Sequence, residues 1–351
     1  MRKTSALTGL LALATLLAFL LPAPARAGSL NPSVIGMFPK DLGEFAYADL
    51  KTARRYPWFA QLKDQIVPSR FRQFESFLAA AGIDPNTQVD ELAWGALMRA
   101  PQIVQAKAEN PDAKPGEGKS GPDEVVSGEQ IVGIALGTFS PDAAEKYFAK
   151  QKLPVVKLRG FTLFAYGSGV GPNDIFFFFI DSNTAAFGHR HLLEKLIEVR
   201  YGGEESFLRN DKLFPLVDEV NGHGIVWAAL DEGYTRLGMS QVLPEAAQFP
   251  EAAKIITRVK AMTIEVLADR GVDTRFHSVC GSPDDANTLS QLIQAGILYR
   301  RYQESKTNPD LAQALDGATV SARGDRLNIG LALSDEMMLA LLRRNTFAVK
   351  L

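Results

Sequence analysis

The sequence predicts an α+β protein of two similar units, each a mainly antiparallel sheet with helices packed on one face. Three observations lead there. Short segments with apolar bulk on alternate residues interleave with segments whose apolar residues recur at helical spacing. Brief Gly-bearing connections join neighbouring strands, which is how antiparallel strands are linked. The order strand, helix, strand, strand, helix, strand, strand, helix then runs through the chain twice, with matching residues at matching places.

In the first unit, Phe45 to Ala48 alternates as a strand, and Asp49 follows as a helix N-cap. Trp58, Phe59, Leu62 and Ile66 recur at helical spacing, as do Phe71, Phe74, Phe77 and Leu78, where Gly82 ends the helix. Strands follow at 92–98 and 131–139. Between them, Gln105 to Glu124 holds Pro, Gly and charged residues without a large apolar side chain, so its ordering entropy has no burial to offset it, and a mobile loop is expected. Ser140-Pro141-Asp142 opens the next helix with an N-cap residue, a first-turn Pro and an acid matched to the helix dipole. Strands at 161–166, 175–181 and 184–187 lead to a helix over 191–200.

The second unit repeats the order. A strand at 225–230 ends at Asp231 as the first ends at Asp49, and an aromatic stands four residues before each, Trp227 and Phe45. Strands at 259–268 and 272–280 turn at Asp269-Arg270-Gly271. Ser282-Pro283-Asp284-Asp285-Ala286 then matches Ser140-Pro141-Asp142-Ala143-Ala144 and opens a long helix. A hairpin of 320–323 with 327–331 and a helix over 335–343 close the chain. The expected organisation is a signal peptide at 1–27, a first unit at 28–202 and a second at 203–351.

The signal peptide rests on Arg2 and Lys3, the apolar run Ala6 to Leu21, and Ala25-Arg26-Ala27, the small-x-small pattern of a cleavage site. Cleavage after Ala27 would leave 324 residues in the periplasm or outside the cell. The run is shorter than the ~20 residues a membrane-spanning helix needs, and no later stretch reads as transmembrane. Loss of Arg2, Lys3 and Arg26 leaves 35 basic residues against 40 acids, a formal charge of −5, which offers nothing to nucleic acid. The single cysteine, Cys280, means no internal disulfide, so core burial must carry stability.

Weighed singly, the chemistry-bearing residues give no catalytic, cofactor or metal site. Cys280 and His277 are three apart in a strand and point to opposite faces, which places the thiol in the core and away from a base. His189 and His191 flank Arg190 without the i,i+4 spacing of a helical metal pair, and His223 lies in a Gly-flanked turn. Gly167, Gly169 and Gly171 precede a strand, so they read as a hairpin loop instead of a phosphate cradle. Arg323-Gly324-Asp325 sits where the last hairpin must turn. The run Ile175-Phe176-Phe177-Phe178-Phe179-Ile180 puts bulk on both faces of one strand. Such a strand is either covered on both sides or has one face open onto an apolar groove.

The signal peptide, the Pro-x-Asp run before the F-x-Y-x-D-L strand at 39–50, and the doubled α+β unit resemble a group of exported bacterial proteins known only as domains of unknown function. That resemblance implies no activity and no catalytic residues, and favours a non-enzymatic envelope protein. The leading expectation is therefore an exported, non-catalytic protein that binds or scaffolds an envelope partner. The second is a carrier of an apolar ligand, a lipid or acyl chain, built around Phe176–Phe179. The third is an extracytoplasmic hydrolase without a recognisable signature.

Overall fold

The computed structural model describes residues 28–67, 69–98, 102–104, 124–126, 128–242, 254 and 256–348. The signal segment 1–27 lies outside the described residues, and so does the expected loop at 105–124 apart from Glu124, which opens a short strand.

The fold is α+β, and one 12-stranded sheet runs through it with every neighbouring pair antiparallel. Two central strands, β1 (Glu44–Asp49) and β10 (Val226–Leu230), pair with each other. Outward from β1 run β2 (Val89–Met98), β5 (Glu129–Gly137), β9 (Thr184–His189), β8 (Ile175–Phe179), β7 (Phe161–Tyr166) and β6 (Val155–Leu158). Outward from β10 run β11 (Val259–Ala268), β12 (Gly271–Cys280), β14 (Arg326–Ser334) and β13 (Thr319–Arg323). β3 (Gln102–Val104) and β4 (Glu124–Val126) form a separate ribbon in the β2–β5 connection.

The two halves thus unfold in the same order from the central pair, β1-β2-β5-β9-β8 against β10-β11-β12-β14-β13. The first half adds a hairpin between its helix and β8, where the sequence pattern shows only one strand. The added strand is β6, four residues at the sheet edge with Val155 46% exposed, too short and too wet to give a period-2 signal. Its turn is Arg159-Gly160, both at positive φ (47° and 85°), the two-residue hairpin geometry that Gly favours.

Helices α1 (Pro32–Ile35), α2 (Leu50–Ala53), α3 (Phe59–Ile66), α4 (Ser69–Ala80), α5 (Pro85–Gln88), α6 (Pro141–Gln151) and α7 (Arg190–Tyr201) belong to the first half. Helices α8 (Phe214–Val220), α9 (Glu232–Val242), α10 (Pro283–Thr307), α11 (Pro309–Asp316) and α12 (Asp335–Arg343) follow. The capping read from sequence is in place. The Asp49 carboxylate accepts from Thr52 N–H at 2.8 Å and the Asp231 carboxylate from Tyr234 N–H at 3.0 Å, so equivalent acids start equivalent helices. Ser282 caps α10 through Asp285 N–H, whereas Ser140 makes no side-chain cap bond. In α6 the shared motif works through Pro141 and Asp142 alone.

Directly opposed residues of an antiparallel pair share a face, so the register sorts the side chains. Phe45, Tyr47, Val132, Ile134, Phe176, Phe178, Trp227 and Ala229 lie on one face, called the inner face, and pack under α1, α7 and α8. Glu44, Ala96, Ile131, Ala135, Phe177 and Leu230 lie on the other, the outer face. In the first half helices therefore occupy both faces, because the Phe176–Phe179 strand carries bulk on both and each needs cover. In the second half α9 to α12 all pack on the outer face, and the inner face beyond β11 presents Asp273, Arg275, His277 and Asn328 to solvent. The halves meet at stacked rings: Trp227 lies 5.3 Å from Tyr47 and 6.0 Å from Phe45, and its indole N–H donates to Gly28 O at 2.8 Å.

Candidate functional site

On the outer face of the first half, small residues stand among the larger Leu92, Trp94 and Ile131. Ala46, Ala48, Ala96, Gly133, Ala135 and Ala185 come from four strands, and Ala135 stands directly opposite Ala185. Of these, Ala96, Ala135 and Ala185 face the helices α3 and α4, while the Phe187 ring covers Gly133. A cavity of about 970 Å³ lies between. Its floor includes Phe177, Phe179 and Phe187, and its roof includes Phe59, Phe71, Phe74 and Leu78. The lining is thus mainly apolar, and the volume is at the upper end of small-molecule pockets.

The roof is tied down by polar groups at one rim. The Lys63 ammonium sits 2.8 Å from the Glu75 carboxylate, linking α3 to α4, and donates to Asn86 Oδ1 at 2.6 Å. Arg54 donates to the carbonyls of Asn86 and Val89 at 2.7 and 2.8 Å. α3 is anchored across to the second half, where the Trp58 indole N–H donates to Asp335 at 2.9 Å and Gln65 donates to Leu342 O at 2.6 Å.

The other rim is acidic. Glu44 and Glu129 both line the cavity, and the Trp94 indole N–H donates to Glu44 at 3.1 Å. Burial holds the Glu44 carboxyl above its ordinary range, opposed by the Trp94 hydrogen bond and reinforced by the Glu129 charge, and burial raises Glu129 as well. A carboxyl raised on folding binds its proton more tightly in the folded chain than in the unfolded one. Its stabilising contribution is present below the unfolded value and is lost as pH rises through the folded one. Glu44→Gln should therefore raise the urea midpoint at pH 7 relative to wild type and leave it unchanged near pH 3. Equal midpoints at both pH values would show that Glu44 ionises in the fold as freely as in water.

The residues singled out from sequence fall as follows. Cys280 is buried among Val259, Leu289 and Leu327, and burial, then the charges of Asp285 and Asp325, push its thiol up to about 11. His277 lies on the opposite face, 2.7 Å from Asn328 Oδ1. Cys280→Ser should cost about 1–3 kcal/mol, the penalty of a buried hydroxyl without a partner, read as a lower denaturation midpoint. Rapid reaction of the native thiol with a bulky reagent would contradict this placement.

His189 Nδ1 accepts from Ile131 N–H at 3.0 Å, His191 is the second residue of α7, and His223 stands 3.5 Å from Glu265. The Gly167–Gly171 loop is a hairpin connection between β7 and β8, and its cradle of N–H groups closes on the chain's own Asp174, which accepts from Gly169 and Gly171 at 2.7 and 2.9 Å. Arg323-Gly324-Asp325 is the β13–β14 turn, with Gly324 at φ 60°. A second, shallower cleft of about 310 Å³ on the open inner face is lined by Asp273, Arg275, His277 and Asn328, where Arg275 is already paired to Asp273.

Of the strand singled out for its phenylalanines, Phe176 and Phe178 are inner-face core, while Phe177 and Phe179 form cavity floor. Sequence reasoning did not find Glu44, Trp94 or Glu129. The available signal was an acid at each of two strand starts beside otherwise apolar runs.

No protein family and no curated protein matches the chain. Among solved structures, crystal forms III, I and IV of TP0453 are similar to it, at 11%, 10% and 10% identity and TM-scores of 0.49, 0.45 and 0.44. They cover 90%, 90% and 88% of this chain and 98%, 97% and 95% of the TP0453 chains. What fold and site define is an α+β protein with an open antiparallel sheet and a roofed apolar cavity. No helix among the described residues is long and apolar enough to cross a membrane.

Proposed function

We propose that this protein is an exported, non-catalytic binding protein whose cavity holds the hydrocarbon part of an amphiphile. The observation that carries the reading is the 970 Å³ space floored by Phe177, Phe179 and Phe187 and roofed by α3 and α4. Apolar surface of this kind gains free energy at roughly 25 cal/mol per Å² when a chain displaces water from it. The signal-like N-terminus and the duplicated order of elements support export and a two-unit origin. Catalysis has less support. The two carboxylates at the rim face a largely apolar space, and the thiol is buried away from His277.

Titration with 1-N-phenylnaphthylamine, a neutral dye that brightens in apolar surroundings, tests the reading. Saturable binding at one dye per chain, reversed by dodecanol, is the expected result. Absence of saturable binding would overturn it.

A further inference from the structure

The head of the bound molecule follows from how polarity and charge are laid out along the cavity, and this inference rests on the cavity reading above. The floor crosses β1, β2, β5, β9 and β8 in that order, four strand spacings or about 19 Å. Its character changes along that line. Glu44 and Trp94 stand toward the β1 end, Ala96, Ile131 and Ala135 follow, and Phe177 and Phe179 close the β8 end. A floor graded in this way takes an amphiphile in one direction, head toward β1 and hydrocarbon toward β8.

The charged groups around the cavity leave no unmatched charge for that head. Lys63 holds Glu75 and Asn86. Arg54 holds the carbonyls of Asn86 and Val89 and, at 3.4 Å, Asp90. An anionic head would have to displace one of these partners or be buried without one, and a buried charge without a partner is costly. Asp64 is exposed to water, and Glu129 is exposed and already engaged in an interaction of its own. The acid that remains is Glu44, half-buried, with Oε1 accepting from the Trp94 indole N–H at 3.1 Å and Oε2 without a hydrogen bond among the described residues. Burial favours the protonated form of this carboxyl, so a fixed cation gains little from it. A hydroxyl fits either form, because it can donate to the carboxylate and accept from the acid.

We infer that the amphiphile taken by this cavity is uncharged, a long-chain alcohol or acylglycerol, with a head hydroxyl on Glu44 Oε2 and its hydrocarbon chain running under α3 and α4 toward Phe177 and Phe179. The Trp94 hydrogen bond fixes the carboxyl at the head end, and the mutual pairing of the remaining charges sets the preference for a neutral molecule.

The test is calorimetric titration of the protein at neutral pH with four C12 probes below their micellar concentrations: dodecanol, 1-monolauroylglycerol, laurate and dodecyltrimethylammonium. Each neutral probe should bind at least tenfold tighter than either charged one, a difference of about 1.4 kcal/mol. In Glu44→Leu, dodecanol should bind at least fivefold more weakly, and the wild-type ranking stands as a test whether or not that variant folds. Laurate or dodecyltrimethylammonium binding as tightly as dodecanol, or dodecanol binding undiminished in a folded Glu44→Leu variant, would overturn the inference and leave the cavity reading standing. Failure of all four probes to bind would overturn both.

Discussion

Trp227→Ala should destabilise the protein by about 3–5 kcal/mol, the range for deleting a fully buried aromatic side chain. Trp227 is 0% exposed and stacks on both Tyr47 and Phe45, so truncation strips both rings of a neighbour and removes one of the two donors to Gly28 O, which keeps the Gly222 N–H at 3.1 Å. The site is also where the β1–β10 pair joins the halves of the sheet, so the surrounding strands are fixed by ladders on both sides and have little room to collapse into the void. A thermal midpoint lowered on the order of 10 °C is expected for a chain of this size. Trp227→Phe should cost distinctly less, since a ring remains in the stack and only the indole hydrogen bond is lost. A loss below 1 kcal/mol for the alanine variant would mean that the seam is held elsewhere.

Filling the cavity should abolish dye binding without harming the fold. Ala135 and Ala185 face each other on its floor, and a larger side chain at either projects into the space beneath α4. Ala135→Trp and Ala185→Phe should each weaken 1-N-phenylnaphthylamine binding by at least tenfold. Since they fill space and strip no contact, their midpoints should stay within about 1 kcal/mol of wild type or rise by 0.5–2 kcal/mol. Two variants are needed because an overpacked site costs about 1–3 kcal/mol, and a floor residue that meets α4 too soon would show that cost. Undiminished dye binding by both stable variants would place the dye somewhere else.

These expectations separate what local pattern encodes from what tertiary placement creates. The strands 161–166 and 259–268 and the helix 335–343 are as the pattern predicts, because period-2 and period-3.6 burial are local signals. The Asp49 and Asp231 caps were legible for the same reason, since an N-cap acts within three residues. Phe177 and Phe179 could be singled out as bulk on a second face, but not which surface they would meet. The cavity brings together Ala96, Ala135 and Ala185 from three strands under one helical roof, and no window along the chain contains them together. Glu44 and Glu129 come to one cavity from two strands, β1 and β5, on either side of β2. Each alone reads as an ordinary acid at the start of a strand. The α8 segment went unread because Phe214, Leu216, Val217 and Val220 span only two turns, too short for a helical period to stand out.

Whether the cavity holds an amphiphile can be read by mass spectrometry of organic extracts of the protein purified from its own cells, beside the Ala135→Trp variant prepared identically. An amphiphilic species at close to one per chain is expected from the wild type, and its loss from the filled variant. Equal amounts of the same species from both proteins, or none from either, would contradict it.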